Sequence, residues 1–157
     1  MSTNSRIEML PVLLVEDDAE DIYIAQRAFE QGKIANPLHV VRSGEEALEF
    51  LQRTGCYVGA AEAPRPGLIL LDLNLPGMRG HEVLERIKQD PQLRRIPVVV
   101  LTTSGEEADV CVCYDRGANT YIVKPVAFDK FLEAVKTVGR YWLVVAKLPD
   151  PCEDTQV

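Results

Sequence analysis

Four short apolar runs in this chain each end in a chemically distinctive group. The run 11–15 leads into Glu16-Asp17-Asp18, 68–71 into Asp72, 98–101 into Thr102, and 121–123 into Lys124-Pro125. Longer stretches of helical periodicity separate the runs, which is the pattern of a doubly wound α/β domain with parallel strands. Parallel strands end on one edge of their sheet, and that edge is where open α/β sheets bind ligands. Acids, a hydroxyl and a lysine are therefore expected to converge on one pocket.

Five strand and helix units can be counted. The strands are predicted at 12–15, 38–42, 68–71, 97–101 and 120–123. Helix one is predicted over 18–31, with Asp18 as its N-cap, Ile22, Ala25 and Phe29 on one face and Gly32 ending it. Ser43-Gly44-Glu45-Glu46 and Ser104-Gly105-Glu106-Glu107 both match the capping box, in which a serine and a glutamate three residues later satisfy free amides. They predict where helices two and four begin. Helix three is expected over 80–89, ahead of Pro91, and the glycine- and proline-containing segment 54–67 as a surface loop.

The last helix is predicted over 128–146. Phe128, Phe131, Val135, Val138, Trp142 and Val145 follow one another at spacings of three and four, a continuous stripe that packs on the sheet. At its end Tyr141, Trp142, Leu143, Val144 and Val145 are apolar on every face, more than sheet packing requires. That terminal patch, with Tyr141, Trp142, Leu143 and Val145 foremost, is expected to be an interface.

A chain of 157 residues suits one domain with its own core. The organisation expected is an extension over 1–10, the domain over 11–148 and a tail over 149–157. A net charge of −7 without a basic cluster argues against nucleic-acid binding. The polar first residues carry neither a signal peptide nor a membrane anchor, so a cytoplasmic protein is expected. Cys56, Cys111, Cys113 and Cys152 include no CxxC pair, and only His39 and His81 could join them, so a zinc site is not expected. All four are read as reduced structural thiols, and His81 as an exposed helix residue without a role.

Glu16 and Asp17 beside Asp72 repel one another unless a cation binds or a pKa rises. Mg²⁺ suits such a site, because it takes one or two carboxylates, waters and phosphate oxygens. A carboxylate can attack phosphorus to form an acyl phosphate. Asp72 stands alone at its strand end and is the candidate nucleophile, while Glu16 and Asp17 hold the metal. Lys124 and the Thr102 hydroxyl supply a charge and a hydrogen bond to phosphoryl oxygens. Taken singly, each of these residues has a plainer reading: an acid at a helix start is a cap, a lysine is solvated, a threonine ends a strand. The joint spacing carries the functional reading.

This constellation resembles the receiver domain of two-component response regulators over nearly the whole chain. Thr102 follows Asp72 by 30 residues and Lys124-Pro125 by 52, the intervals that separate phosphoacceptor, hydroxyl and Lys-Pro pair in that family. The resemblance implies a flavodoxin-like five-stranded parallel sheet of order 2-1-3-4-5 with five helices. It implies Asn74 as a metal ligand through its backbone carbonyl, Thr102 and Tyr121 as switch residues, and a cis Lys124–Pro125 peptide bond. Asn74 and Ser104 are further expected to tune phosphoryl lifetime. Tyr141-Trp142-Leu143, Leu148-Pro149 and the stretch 96–104 look like the small stand-alone regulators that partner cyanobacterial phytochromes. Those regulators form homodimers through the face of helix four, strand five and helix five.

The implied function is a signalling module that takes a phosphoryl group from a sensor histidine kinase, expected to be a phytochrome, onto Asp72 with Mg²⁺. It catalyses only its own phosphorylation and dephosphorylation. With 33 residues after Lys124, no fused output domain is expected, so output passes through protein contacts. The alternative is a pseudo-receiver that binds partners without phosphorylation. A phosphatase of the haloacid dehalogenase type wants an acid where Asn74 stands, and a flavin-binding protein wants a Ser/Thr/Gly-rich phosphate cradle where this chain is acidic.

Overall fold

A computed structural model describes residues 9–59 and 63–149. Five strands, β1 (Val12–Val15), β2 (Leu38–Val41), β3 (Leu68–Leu71), β4 (Val98–Thr102) and β5 (Thr120–Val123), form one sheet. Every pairing is parallel and the order is β2-β1-β3-β4-β5, as expected. Helices α1 (Ala19–Gln31), α2 (Gly44–Gln52), α3 (Gly80–Gln89), α4 (Glu107–Asp115) and α5 (Phe128–Arg140) connect and flank the strands.

Alternation along the strands divides the apolar residues between two cores. Leu13, Val15, Ile69, Leu71, Val98 and Val100 face α2 and α3, together with Cys113 of α4. Val12, Leu14, Leu68, Leu70, Val99 and Leu101 face Ile22, Ala25 and Phe29 of α1 and Phe131 and Val135 of α5. Covered on both sides, β1, β3 and β4 are buried throughout, which is why their sequences read as continuous apolar runs.

The register then positions the strand ends. Val15 pairs with Leu71 and Thr102 with Val123, so Glu16 lies beside Asp72 and Lys124 beside the end of β4. Backbone bonds continue one step past the strands, from Asp72 N–H to Val15 O (3.0 Å) and from Lys124 N–H to Thr102 O (2.6 Å). Successive strands are added to one side of β1 and then, from β3 on, to the other, and β1/β3 is therefore the switch point at which a crevice opens. Gly80 secures the turn beneath it: a Cβ there would lie 2.6 Å from Leu73 Cα, so α3 can begin against the Asp72–Leu73 backbone only with glycine.

Several local expectations need correction. Ser43 caps α2, accepting from Glu46 N–H at 3.1 Å, but Ser104 does not cap α4. Its hydroxyl instead pairs with Asp109 at 2.5 Å, and α4 begins after Glu106 without a side-chain cap. Gly32 does end α1, as expected, though with ordinary helical angles, and the left-handed residue is Lys33 (φ 54°).

The second half of 54–67 is not surface loop, since Ala63, Arg65, Pro66 and Gly67 are buried, with Gly67 N–H bonded to Pro11 O at 2.8 Å. Residues 60–62 of that segment lie outside the described residues. Regular α-helix stops at Arg140, and Tyr141–Val145 is a π turn in which Ala146 N–H reaches Tyr141 O at 2.7 Å. The wider winding takes Val145 out of the α5 stripe, leaving it 72% exposed, while Trp142 and Leu143 turn in against the core. Phe128, the first residue of α5, is also exposed.

Cys113 is a core thiol, whereas Cys56 and Cys111 are exposed, and all three are free. Cys152 and most of the expected extension and tail lie outside the described residues. His81 is half-buried rather than exposed, its Nε2 3.8 Å from Asp109 Oδ1. No helix among the described residues is long and apolar enough to cross a membrane.

Candidate phosphoacceptor and metal site

At the carboxyl edge of β1 and β3, a cleft of about 320 Å³ is lined by Glu16, Asp17, Asp18, Asp21, Asp72, Asn74, Thr103 and Lys124. One carboxylate oxygen each from Glu16, Asp17 and Asp72 lies within 4.8 Å of the others. Glu16 and Asp72 are buried and Asp17 is exposed. Asp18 takes the other acid role available at a helix start: its carboxylate accepts from Glu20 and Asp21 N–H and caps α1.

Lys124 crosses from β5 into this acidic group. Its ammonium donates to Glu16 Oε2 at 2.6 Å and to Asp21 Oδ2 at 2.8 Å, and lies 3.4 Å from Asp72 Oδ2. Burial works against its charge, but the bonds to Asp21 and Glu16 outweigh that cost and hold its pKa above the ordinary lysine range. Glu16 shows the opposite balance. Burial pushes its carboxyl up to about 7 in spite of the lowering effect of Lys124.

Asp72 is held from its other side by Asn74, whose backbone N–H donates to Oδ1 at 3.3 Å. The Asn74 side chain reaches Thr103 Oγ1 at 3.4 Å, across the mouth of the cleft. Thr102, expected in the pocket, is wholly buried behind it, and its hydroxyl has no hydrogen-bond partner among the described residues. Tyr121 stands apart from the cleft and donates its hydroxyl to Ser104 O at 2.7 Å. The Lys124–Pro125 peptide, expected cis, is trans, like the other peptide bonds among the described residues. An X–Pro bond favours trans by about 0.5–1 kcal/mol, and the trans arrangement already brings Lys124 to its carboxylate partners.

Two lining residues escaped the sequence reading. Thr103 was overshadowed by its neighbour Thr102, with nothing in the sequence to rank the two. Asp21 reads as an ordinary acid in the first turn of a helix, where the dipole favours one. Only the fold brings it to a lysine 103 residues away.

The donor set is hard and anionic, the kind that holds Mg²⁺ or Mn²⁺ and excludes soft-ligand metals. A divalent cation among Glu16, Asp17 and Asp72 would relieve their repulsion, and the exposed side of Asp17 leaves room for water or phosphate oxygens.

A five-stranded receiver sheet with an aspartate, an acidic trio and a lysine at its carboxyl edge defines a class, and the comparisons with known proteins agree. Residues 12–136 match the response regulator receiver domain model, and the chain belongs to that family. It is 44% identical over 138 residues to the response regulator Rcp1 of Synechocystis, covering 88% of this chain and 92% of Rcp1. The fold superposes on the phosphorylated cyanobacterial phytochrome response regulator RcpA with a TM-score of 0.84 and 43% identity, covering 90% of this chain and 99% of RcpA. It also superposes on the Mn²⁺-bound form of Rcp1 with a TM-score of 0.83 and 43% identity, covering 89% of this chain and 99% of Rcp1.

Proposed function

We propose that this response regulator accepts a phosphoryl group from a sensor histidine kinase onto Asp72, in a Mg²⁺-dependent reaction. The observation that carries this reading is the placement of Lys124 Nζ 3.4 Å from Asp72 Oδ2 within a cleft that also holds the Glu16, Asp17 and Asp72 oxygens. An Asp72 carboxylate oxygen attacks phosphorus while the bond from phosphorus to the donor nitrogen breaks. The electron pair stays on the imidazole, which takes up a proton, and the product is an acyl phosphate. Glu16, Asp17, Asp72 and the Asn74 carbonyl would hold Mg²⁺, which would supply positive charge to the transferring oxygens. Lys124 donates to a second oxygen.

The unpartnered Thr102 hydroxyl supports a switch. A buried donor without an acceptor is costly, and a phosphoryl oxygen on Asp72 is the acceptor it lacks. Its movement toward that oxygen would free space near Tyr121 and alter the face of α4, β5 and α5. On that face and the turn after it Tyr114, Val123, Tyr141, Val144 and Val145 are exposed. We assign it to a homodimer and to protein output. The resemblance to RcpA and Rcp1 makes a phytochrome the proposed kinase.

Intact mass after incubation with acetyl phosphate tests the reading. Wild type should gain one phosphoryl group with Mg²⁺ and none without it, and Asp72→Asn should gain none. A folded wild type that gains nothing would be a pseudo-receiver, signalling by binding alone. Sedimentation of wild type beside Tyr141→Ser/Val145→Asp tests the dimer; both residues are exposed, so the variant leaves the core intact. A monomer in wild type would remove the dimer.

A further inference from the structure

Lys124 has three N–H donors, and three carboxylates already stand around them. Two donors are committed at short range to Glu16 and Asp21, and the ammonium lies 3.4 Å from Asp72 Oδ2 as a longer ion pair. The two committed partners differ in how they are held. The Glu16 side chain is 3% exposed and its second oxygen accepts from Asp18 N–H at 3.2 Å, so it is tied down at both ends. Asp21 sits in the first turn of α1 with 21% of its side chain exposed, and among the described residues no second hydrogen bond ties its carboxylate. Water can replace Lys124 at Asp21 at little cost, whereas Glu16 has nowhere to go.

We propose that Asp21 is a positioning residue that restrains Lys124, so that capture of a phosphoryl group on Asp72 requires the Asp21–Lys124 contact to open. This inference rests on the phosphoryl-acceptor reading given above. With Asp21 in place, the ammonium is shared among three carboxylates and its charge is spent before a phosphate arrives. An entering phosphoryl oxygen must displace one of them, and the solvent-facing one yields first. Asp21 thereby slows phosphoryl entry and also competes with the acyl phosphate for the lysine once it has formed.

The test measures the initial rate of acetyl phosphate labelling with Mg²⁺, by intact mass, and the decay of the acyl phosphate after donor removal. It uses wild type, Asp21→Asn, Asp21→Glu and Glu20→Gln. Glu20→Gln removes a charge from the same exposed turn without touching Lys124. Asp21→Asn should label about tenfold faster, the size expected when one like charge is removed at contact range, and its acyl phosphate should persist longer. Asp21→Glu, which keeps the carboxylate, should return toward wild type, and Glu20→Gln should stay within about twofold of wild type.

A merely damaged site would label more slowly and decay faster. That result, an unchanged rate in Asp21→Asn, or an equal gain in Glu20→Gln, would overturn the inference while leaving wild-type labelling as evidence for the receiver reaction. If wild type itself takes no phosphoryl group, the underlying reading fails and this inference falls with it.

Discussion

Two lysines, one buried and one half-buried, stand near opposite edges of the sheet, and they answer burial in opposite ways. Lys124, at the carboxyl edge, faces carboxylates, and its pKa is held above the usual range. Lys88, on α3, donates to Arg94 O at 3.0 Å, Ile96 O at 2.8 Å and Asn119 Oδ1 at 3.1 Å, with no counter-charge among the described residues, and burial lowers its pKa to about 8. Carbonyl partners satisfy donors without neutralising the ion. Lys88 therefore ties the approach to β4 to the approach to β5, whereas Lys124 holds a charge that a ligand can compete for. The difference lies in the partners, not in the side chain.

The comparison breaks most severely if Lys124 is removed. Lys124→Gln should lower the rate of acetyl phosphate labelling by at least about a hundredfold, since the charge facing the transferring oxygens is lost. Its fold should survive, because Glu16 can take up a proton near neutral pH once the ammonium is gone. Lys88→Met should do the reverse. It leaves the Arg94 and Ile96 carbonyls without this donor, while Asn119 Oδ1 keeps its bond from Val98 N–H at 2.9 Å, so the unfolding free energy should fall by about 1–2 kcal/mol while labelling stays near wild type.

The pH dependence sharpens the contrast. Glu16 is raised from 4.5 to about 7, so the folded chain keeps a proton that the unfolded chain has released between these values. Its contribution to stability is complete below pH 4.5 and is lost as pH rises to 7. Lys88 is lowered from 10.5 to about 8, so between those values the unfolded chain holds the extra proton and stability rises with pH. Melting temperatures relative to Glu16→Gln should therefore drop for wild type between pH 5 and 7. Relative to Lys88→Met they should climb between pH 8 and 10. The Kd for Mg²⁺, read by titration, should fall about fivefold from pH 6 to 7 and about twofold more by pH 8, because Glu16 must lose its proton to bind.

The smallest effect expected is from Tyr121→Phe. It removes one hydrogen bond, to Ser104 O, and should cost about 1 kcal/mol in urea unfolding.

What the sequence revealed and what it hid follow from the range of the interactions. The buried strands were legible because burial on both faces removes polar residues from the run and leaves the functional group at its end, as at Leu71–Asp72. Glu16, Asp17, Asp72 and Lys124 were legible because parallel register turns position along each strand into position along one edge. Asp21 was hidden because any helix start attracts an acid, and its lysine partner is visible only in three dimensions. Two copies of one motif show the same limit. Ser43 caps a helix and Ser104 does not, because α4 begins only at Glu107, which leaves Ser104 two residues ahead of the cap position with its hydroxyl donated to Asp109. The π turn after Arg140 was hidden because apolar residues continue without interruption while the winding changes beneath them.

Among the five helices α4 has the smallest stake in the interior. Of its nine residues only Cys113 is buried, while α1 buries five of its thirteen. A helix that buries a single side chain, its other ties lying at the surface, can open without unravelling either core. In deuterated solvent the α4 amides should exchange well before those of α1 and of strands β1, β3 and β4, at rates that follow local opening rather than global unfolding. The surface proposed for partner contacts is thus carried in part by the most loosely bound helix of the molecule, where a change of shape is opposed by the fewest buried contacts.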